Sequence, residues 1–230
     1  MRFSCVWPHA ADHLDFARTS PGRRFLHRFR LRSKRKPEGR HTRPVESVIG
    51  VMREQGGVVA RAALDAAGCT SADVDGAIRC GEVIRVRKGW FATPDAPRDV
   101  VRAVRVGGVA TAGTVARLRG LWVADDPRLH VRVRYSTGRL FAPHDRRQPL
   151  DRMRDRVCVH YSRRGPFDRA VDALTVSLAE MFACTDVASA IASVDSALDT
   201  GNLSLQHLDL IRAWMPPSRK STRPTPSMAT

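Results

Sequence analysis

Arg79, Arg85, Arg87 and Lys88 crowd one short stretch of the chain. The chemistry such a group performs is recognition of phosphate and base edges rather than bond making. A planar guanidinium donates two parallel hydrogen bonds to a guanine or a phosphate, whereas a lysine ammonium meets phosphate as a point charge. Phosphate contacts fix register and base-edge contacts choose sequence. A second group has residue types suited to acid–base or metal chemistry: His130, His144 and His160, with Asp145, Asp151 and Asp155 between them. Nothing in their spacing fixes a mutual distance. His130 shares a strand face with Arg132 and Arg134, so a solvated surface is expected there. The five cysteines (Cys5, Cys69, Cys80, Cys158, Cys184) are odd in number and scattered. They form no C-x-x-C and no Cys/His pair at the spacing of a zinc site. Small buried residues in a reducing compartment are expected. Gly107-Gly108 lacks the Lys-Ser/Thr of a phosphate loop. No catalytic residue, metal ligand or cofactor is assigned.

The elements that must position the four cations can be read from the spacing. Val45, Val48, Ile49 and Met52 fall at i, i+3, i+4 and i+7, one face of a helix, and Gly56-Gly57 stops it. A second short helix is expected from about Ala60 to Ala67, ending at Gly68. A third opens at Thr70, whose hydroxyl caps the first turn, with Asp73 where a capping-box acid sits. Val74, Ala77 and Ile78 form its inward face. Ser71 stands at its start, and Ala72, Asp75, Gly76 and Arg79 point outward. Val83-Ile84-Arg85-Val86-Arg87, the turn Lys88-Gly89 and Trp90-Phe91-Ala92 make a two-stranded basic ribbon. Three helices followed by a basic ribbon are the order of a winged helix-turn-helix. In that fold the third helix enters the major groove and the ribbon, the wing, lies on the backbone or the adjacent minor groove. Arg79 is then the one outward residue with a fork to read guanine, and Asp75 opposes phosphate. Ser71, Ala72, Asp75, Arg79, Arg85, Arg87 and Lys88 form the expected DNA-binding set. A winged helix used for protein docking is the alternative.

Charge supports nucleic acid less than its total suggests. The formal net charge is +16, but residues 1–44 carry +9, residues 216–230 carry +3, and only +4 remains between. Residues 1–43 show no sustained period and read as a disordered basic arm, as a membrane-surface helix, or as sequence upstream of the true start. No secretory signal and no run of transmembrane length is found, so a cytoplasmic chain without a membrane partner is expected. A winged-helix unit is expected over 44–95. A small mixed unit with C-terminal helices should follow over 98–214, and a disordered tail over 215–230. The whole is α+β. In the second unit Val100, Val101, Val104 and Val106 suggest a helix, and Ala112 to Leu121 another, running into a buried Trp122. Leu129, Val131, Val133 and Tyr135 make a half-buried strand; Val157, Val159 and Tyr161 make another, with Cys158 and His160 on its opposite face. Helices are expected at about 167–183, 186–198 and 204–213, with the Ile191, Val194 and Leu198 stripe as core.

Gly56-Gly57-Val58-Val59, Leu64, Ala67-Gly68, Ile78-Arg79 and the run Gly81 to Ala92 together resemble the N-terminal winged helix of AbiEi-type antitoxins. The likeness continues through Thr111 to Trp122, His160-Tyr161 and Ala190 to Leu205, covering about residues 45–214. These antitoxins belong to type IV toxin–antitoxin (abortive infection) systems and are abundant in actinobacteria. The resemblance implies binding of double-stranded DNA at the protein's own promoter. It also implies a second partner, a nucleotidyltransferase-like toxin. Related actinobacterial chains continue into a Vsr-like endonuclease domain, which needs strand carboxylates and a Glu-x-Lys element. No such element occurs after Pro216. The chain is therefore expected to be a regulator and not an enzyme, with a truncated, non-catalytic relative of the endonuclease fusions as the alternative.

Overall fold

The structure, a computed structural model, describes residues 44–215. The arm expected over 1–43, and all but the first residue of the tail expected over 215–230, lie outside these residues. The described chain is a mixed α+β protein with eight α-helices and two three-stranded sheets.

Helix α1 (Pro44–Glu54) buries Val48 and Met52 and stops at Gly56 and Gly57, both at positive φ. At Gly57 a side chain would also meet Thr93 Oγ1 at 2.9 Å, so glycine is required on two counts. Strand β1 (Val58–Ala60) leads directly into α2 (Arg61–Ala66), whose N-terminus has no side-chain cap because Ala60 precedes it. Helix α3 (Ser71–Arg79) is capped as its sequence implies. The Asp73 N–H donates to Thr70 Oγ1 at 3.2 Å, and the Thr70 N–H donates to Asp73 Oδ2 at 2.8 Å. The Thr70 hydroxyl, which donates to Asp73 Oδ2 at 2.7 Å, and the Thr70 N–H hold the Asp73 carboxyl below its ordinary value. Strands β2 (Ile84–Arg87) and β3 (Trp90–Ala92) form the hairpin. The sheet runs β1-β3-β2, antiparallel throughout, with a register shift between Arg85 and Arg87.

The second half runs α4 (Arg98–Val106), β4 (Val109–Ala110), α5 (Ala112–Leu118), β5 (Leu129–Arg134), β6 (Val157–Ser162), α6 (Leu174–Met181), α7 (Val187–Asp199) and α8 (Leu208–Trp214). Strand β4 is antiparallel to β5, and β5 is parallel to β6. A parallel pair needs a long return connection, supplied here by residues 135–156. Gly108 lies so close to β5 that a Cβ there would stand 2.2 Å from the Arg132 carbonyl oxygen. The core does not break at the Thr93–Pro97 connection. Val58, Val86, Trp90 and Ala92 of the first sheet share one apolar cluster with Val100, Val104, Val131 and Val157. A separate cluster joins α5, α6, α7 and α8.

Several local expectations are corrected. The face of β5 carrying His130 and Arg132 is not solvated: each is only 2% exposed. Parallel pairing aligns His130 with Cys158 and Arg132 with His160, and α5 and α6 cover that face. His130 packs on Gly113 of α5, and His160 bonds to Glu180 of α6. Residues 167–173 are not helical. Arg169 bridges to Val59 and Val171 to Ala110, so the segment runs extended along both sheets, and α6 begins only at Leu174. Leu121 takes the buried place expected for Trp122, which is half exposed. Cys69 is buried as expected but Cys80 is exposed. Ile191 is 48% exposed and so outside the core, whereas Val194 is buried.

Candidate functional site

Ser71, Ala72, Asp75 and Arg79 all lie on the exposed side of α3, and Val74 and Ala77 are buried beneath them. The helix presents its outward face as the 3.6-residue period requires. The three hairpin cations do not act as one group. The register shift sets Arg85 beside Phe91 and Arg87 beside Trp90, rings that belong to different apolar clusters. Arg85 stacks over Phe91, with its guanidinium carbon 5.5 Å from the ring centre, and reaches Asp75 of α3 at 3.8 Å. Both partners are more than half exposed, so the pair contributes at most about 1 kcal/mol. Its consequence is electrostatic: Asp75 partly neutralises Arg85 on the exposed side of α3 and the hairpin.

Arg87 points the other way. Its guanidinium carbon sits 5.4 Å from the Trp90 ring centre, and its Nε is buried without a hydrogen-bond partner among the described residues. Burial lowers its pKa, though not enough to threaten its charge. With Lys88 it lines a cleft of about 510 Å³ whose other walls include Arg105, Arg134, Arg139 and Arg146. Among the described residues no acidic one lines it. Among the described residues none of these six cations pairs with a carboxylate. Arg105 is held on the carbonyls of Pro143 and His144, at 3.0 and 3.5 Å. Arg134 lies 4.7 Å above the Phe167 ring. Like charges gathered without counterions make a positive potential that attracts polyanions. The four arginines contributed by the second half were missed in the sequence. Arg139 and Arg146 sit in a loop legible only as polar and Arg-rich, and no local pattern says that it folds back against the hairpin.

The residues considered for acid–base chemistry separate into two places. His144 is exposed, with Nδ1 4.0 Å from Asp155 Oδ1. His130 and His160 are buried together, joined by Cys158 and Cys184, and the four donor atoms all lie within 4.8 Å of one another. His130 comes from β5, Cys158 and His160 from β6, and Cys184 from the turn after α6. On the outer side, His130 Nε2 bonds to Asp126 Oδ2 and His160 Nδ1 to Glu180 Oε2, both at 3.0 Å. Arg128 donates to Asp126 through Nε and Nη2 and so holds that carboxyl far below its usual range. The thiol of Cys158 is held well below its ordinary value, first by the hydrogen bond with Cys184 and then by the imidazoles, against the effect of burial. The same pairing, with burial, pushes Cys184 up. Burial works to lower His160, but its bonds to Cys158 and Glu180 outweigh that and carry it up to about 9. The sequence held one clue. Cys158 and His160, two apart on a strand, must share a face, but the separations of 28 residues back to His130 and 24 on to Cys184 hide the rest.

No protein-family model matches the chain, and no curated protein matches it.

Proposed function

We propose that the chain is a double-stranded-DNA-binding regulator that acts by binding and not by catalysis. In this reading residues 44–95 are a winged helix, α3 is its reading helix and β2–β3 its wing. The family it resembles, the AbiEi-type antitoxins, supplies the regulatory context, with the chain's own promoter as target. The observation that carries the reading is the acid-free cationic cleft continuing from Arg87 and Lys88. It extends a phosphate-binding surface from the wing onto the second half of the chain. Sequence reading is thin by comparison. Arg79 is the one cation on the outward face of α3, and Asp75 beside it is paired with Arg85.

Fluorescence anisotropy with the promoter duplex and a scrambled duplex across a salt series tests this. Each phosphate contact contributes about 0.9 to the slope of log K against log salt. Arg87→Ala is expected to flatten the slope by about one and to weaken both duplexes alike. Unchanged salt dependence would take the wing out of the interface.

A second surface favours a protein partner, which the antitoxin reading also requires. Val187 and Ile191, one turn apart on α7, are 62% and 48% exposed, and Leu205, Leu208 and Leu210 are exposed around α8. If this surface takes a toxin, Val187→Asp with Ile191→Asp abolishes co-elution with the product of an adjacent nucleotidyltransferase-like gene and leaves DNA binding intact. Co-elution that survives the change would assign the toxin to another face.

A further inference from the structure

We propose that His130, Cys158, His160 and Cys184 bind one zinc ion as a closed structural site. The inference is independent of the DNA-binding reading. It rests first on the distances. A tetrahedral zinc has Zn–N of about 2.0–2.1 Å and Zn–S of about 2.3 Å, which requires N–N edges of about 3.3 Å and N–S edges of about 3.5 Å. His130 Nδ1 lies 3.4 Å from His160 Nε2, Cys158 Sγ lies 3.5 Å from His160 Nε2, and Cys184 Sγ lies 3.6 Å from His130 Nδ1. Each measured edge matches the polyhedron about one ion.

The outer bonds make the same case. Asp126 and Glu180 each take the outward N–H of an imidazole. In the neutral rings this leaves His130 Nδ1 and His160 Nε2 each with a lone pair aimed inward, the state a metal ion binds. Carboxylate–histidine–zinc relays have this form, and they orient the ring and raise its basicity. Here the relay is present on both histidines. The two inward nitrogens approach to 3.4 Å, a spacing that one shared proton or one bound cation accommodates.

The donor set chooses the metal class. Two thiolates and two imidazoles at tetrahedral spacing suit zinc, whereas a hard cation such as Ca²⁺ or Mg²⁺ prefers oxygen. A two-iron cluster with His₂Cys₂ ligation places the thiolates on one iron and the imidazoles on the other. The mixed N–S edges of 3.5 and 3.6 Å leave room for a single ion only. Two thiolates balance the charge of Zn²⁺, so the buried centre is neutral. Four protein ligands leave no open position, which marks a structural site and not a hydrolytic one. Its place in the fold says what it would fasten: β5, β6 and the end of α6, on the face of the sheet where the strands bury His130, Arg132 and His160.

Elemental analysis of the full chain, purified without chelator, is expected to give one zinc per chain. Cobalt substitution should give the visible d–d bands of a tetrahedral ion with thiolate charge transfer. Alkylation followed by peptide mass analysis should modify Cys158 and Cys184 only after chelation, while exposed Cys80 reacts throughout. Cys158→Ser and Cys184→Ser are expected to lose the metal. Because those variants can also lose the fold, Glu180→Gln provides a separate reading: it keeps all four ligands and is expected to weaken zinc affinity about 10–100-fold. A folded, metal-free chain that fails to take up added zinc, with both thiols free or joined as a disulfide, overturns the proposal. So does an affinity unchanged in Glu180→Gln.

Discussion

Asp172→Ala is expected to destabilise the fold by about 3–5 kcal/mol, the cost of leaving a buried charge without its partner. The charge is Arg132, 2% exposed on β5. Its Nε donates to Asp172 Oδ2 at 2.7 Å and its Nη2 to Asp172 Oδ1. Two of the remaining three donors are also used, Nη1 on the Arg164 carbonyl at 2.9 Å and Nη2 on the Pro166 carbonyl at 3.1 Å, and the Phe167 ring covers the guanidinium at 4.3 Å. One side chain thus pins residues 164–172 to the sheet. Two carbonyls cannot neutralise a cation, so the alanine variant must hydrate Arg132 by opening the segment or leave it uncompensated. The pair itself need not stabilise the chain. Removing both charges, as Arg132→Met with Asp172→Leu, should cost much less than removing one, because no buried charge is left. Urea denaturation of the two variants tests this. A double variant as unstable as Asp172→Ala would mean that the pair holds the segment by something other than charge compensation.

That ion pair also shows what could be read from sequence and what could not. The features of α3 are local: Thr70 and Asp73 are three residues apart, and the bonds they make are those their spacing implies. The alternation along β5 was equally legible, and Val131 and Val133 are buried as it requires. Its opposite face was misread because alternation reports two faces and says nothing of what covers the second. His130 and Arg132 looked like solvent-facing polar residues. Asp126 apart, their partners, Asp172, Cys158, His160 and Cys184, lie 28 to 54 residues away. Parallel pairing with β6, which no short pattern encodes, brings them together. Residues 167–173 failed for a related reason. Helix-compatible composition gave way to tertiary pairing, with Arg169 on β1 and Val171 on β4, as weak intrinsic propensity generally does. The cationic cleft is the same case at the surface. Its arginines are plain in the sequence, but their convergence on the hairpin is a property of the fold.

That convergence makes the second large expectation. Lys88, Arg139 and Arg146 are exposed cations of the cleft, and the triple alanine variant is expected to flatten the salt dependence of duplex binding by about 2.7, three contacts at about 0.9 each. Between 50 and 200 mM salt, a fourfold change, the native chain should then lose about fortyfold more affinity than the variant does. Promoter and scrambled duplexes should respond equally, because phosphate contacts carry no sequence information. Arg79→Ala should behave oppositely, leaving the slope nearly unchanged and narrowing the gap between the two duplexes. A control separates contact from general attraction. Arg53, Arg119 and Arg212 are exposed and line no part of the cleft, so replacing them removes the same charge from elsewhere on the surface. If the control flattens the slope as much as the cleft variant, the duplex is held by diffuse charge and the cleft has no place in the interface. If only the cleft variant does, the phosphate path runs from the hairpin across the second half of the chain. Such a path would need Arg139 and Arg146 as well as Lys88, so it could not be reproduced by the hairpin alone.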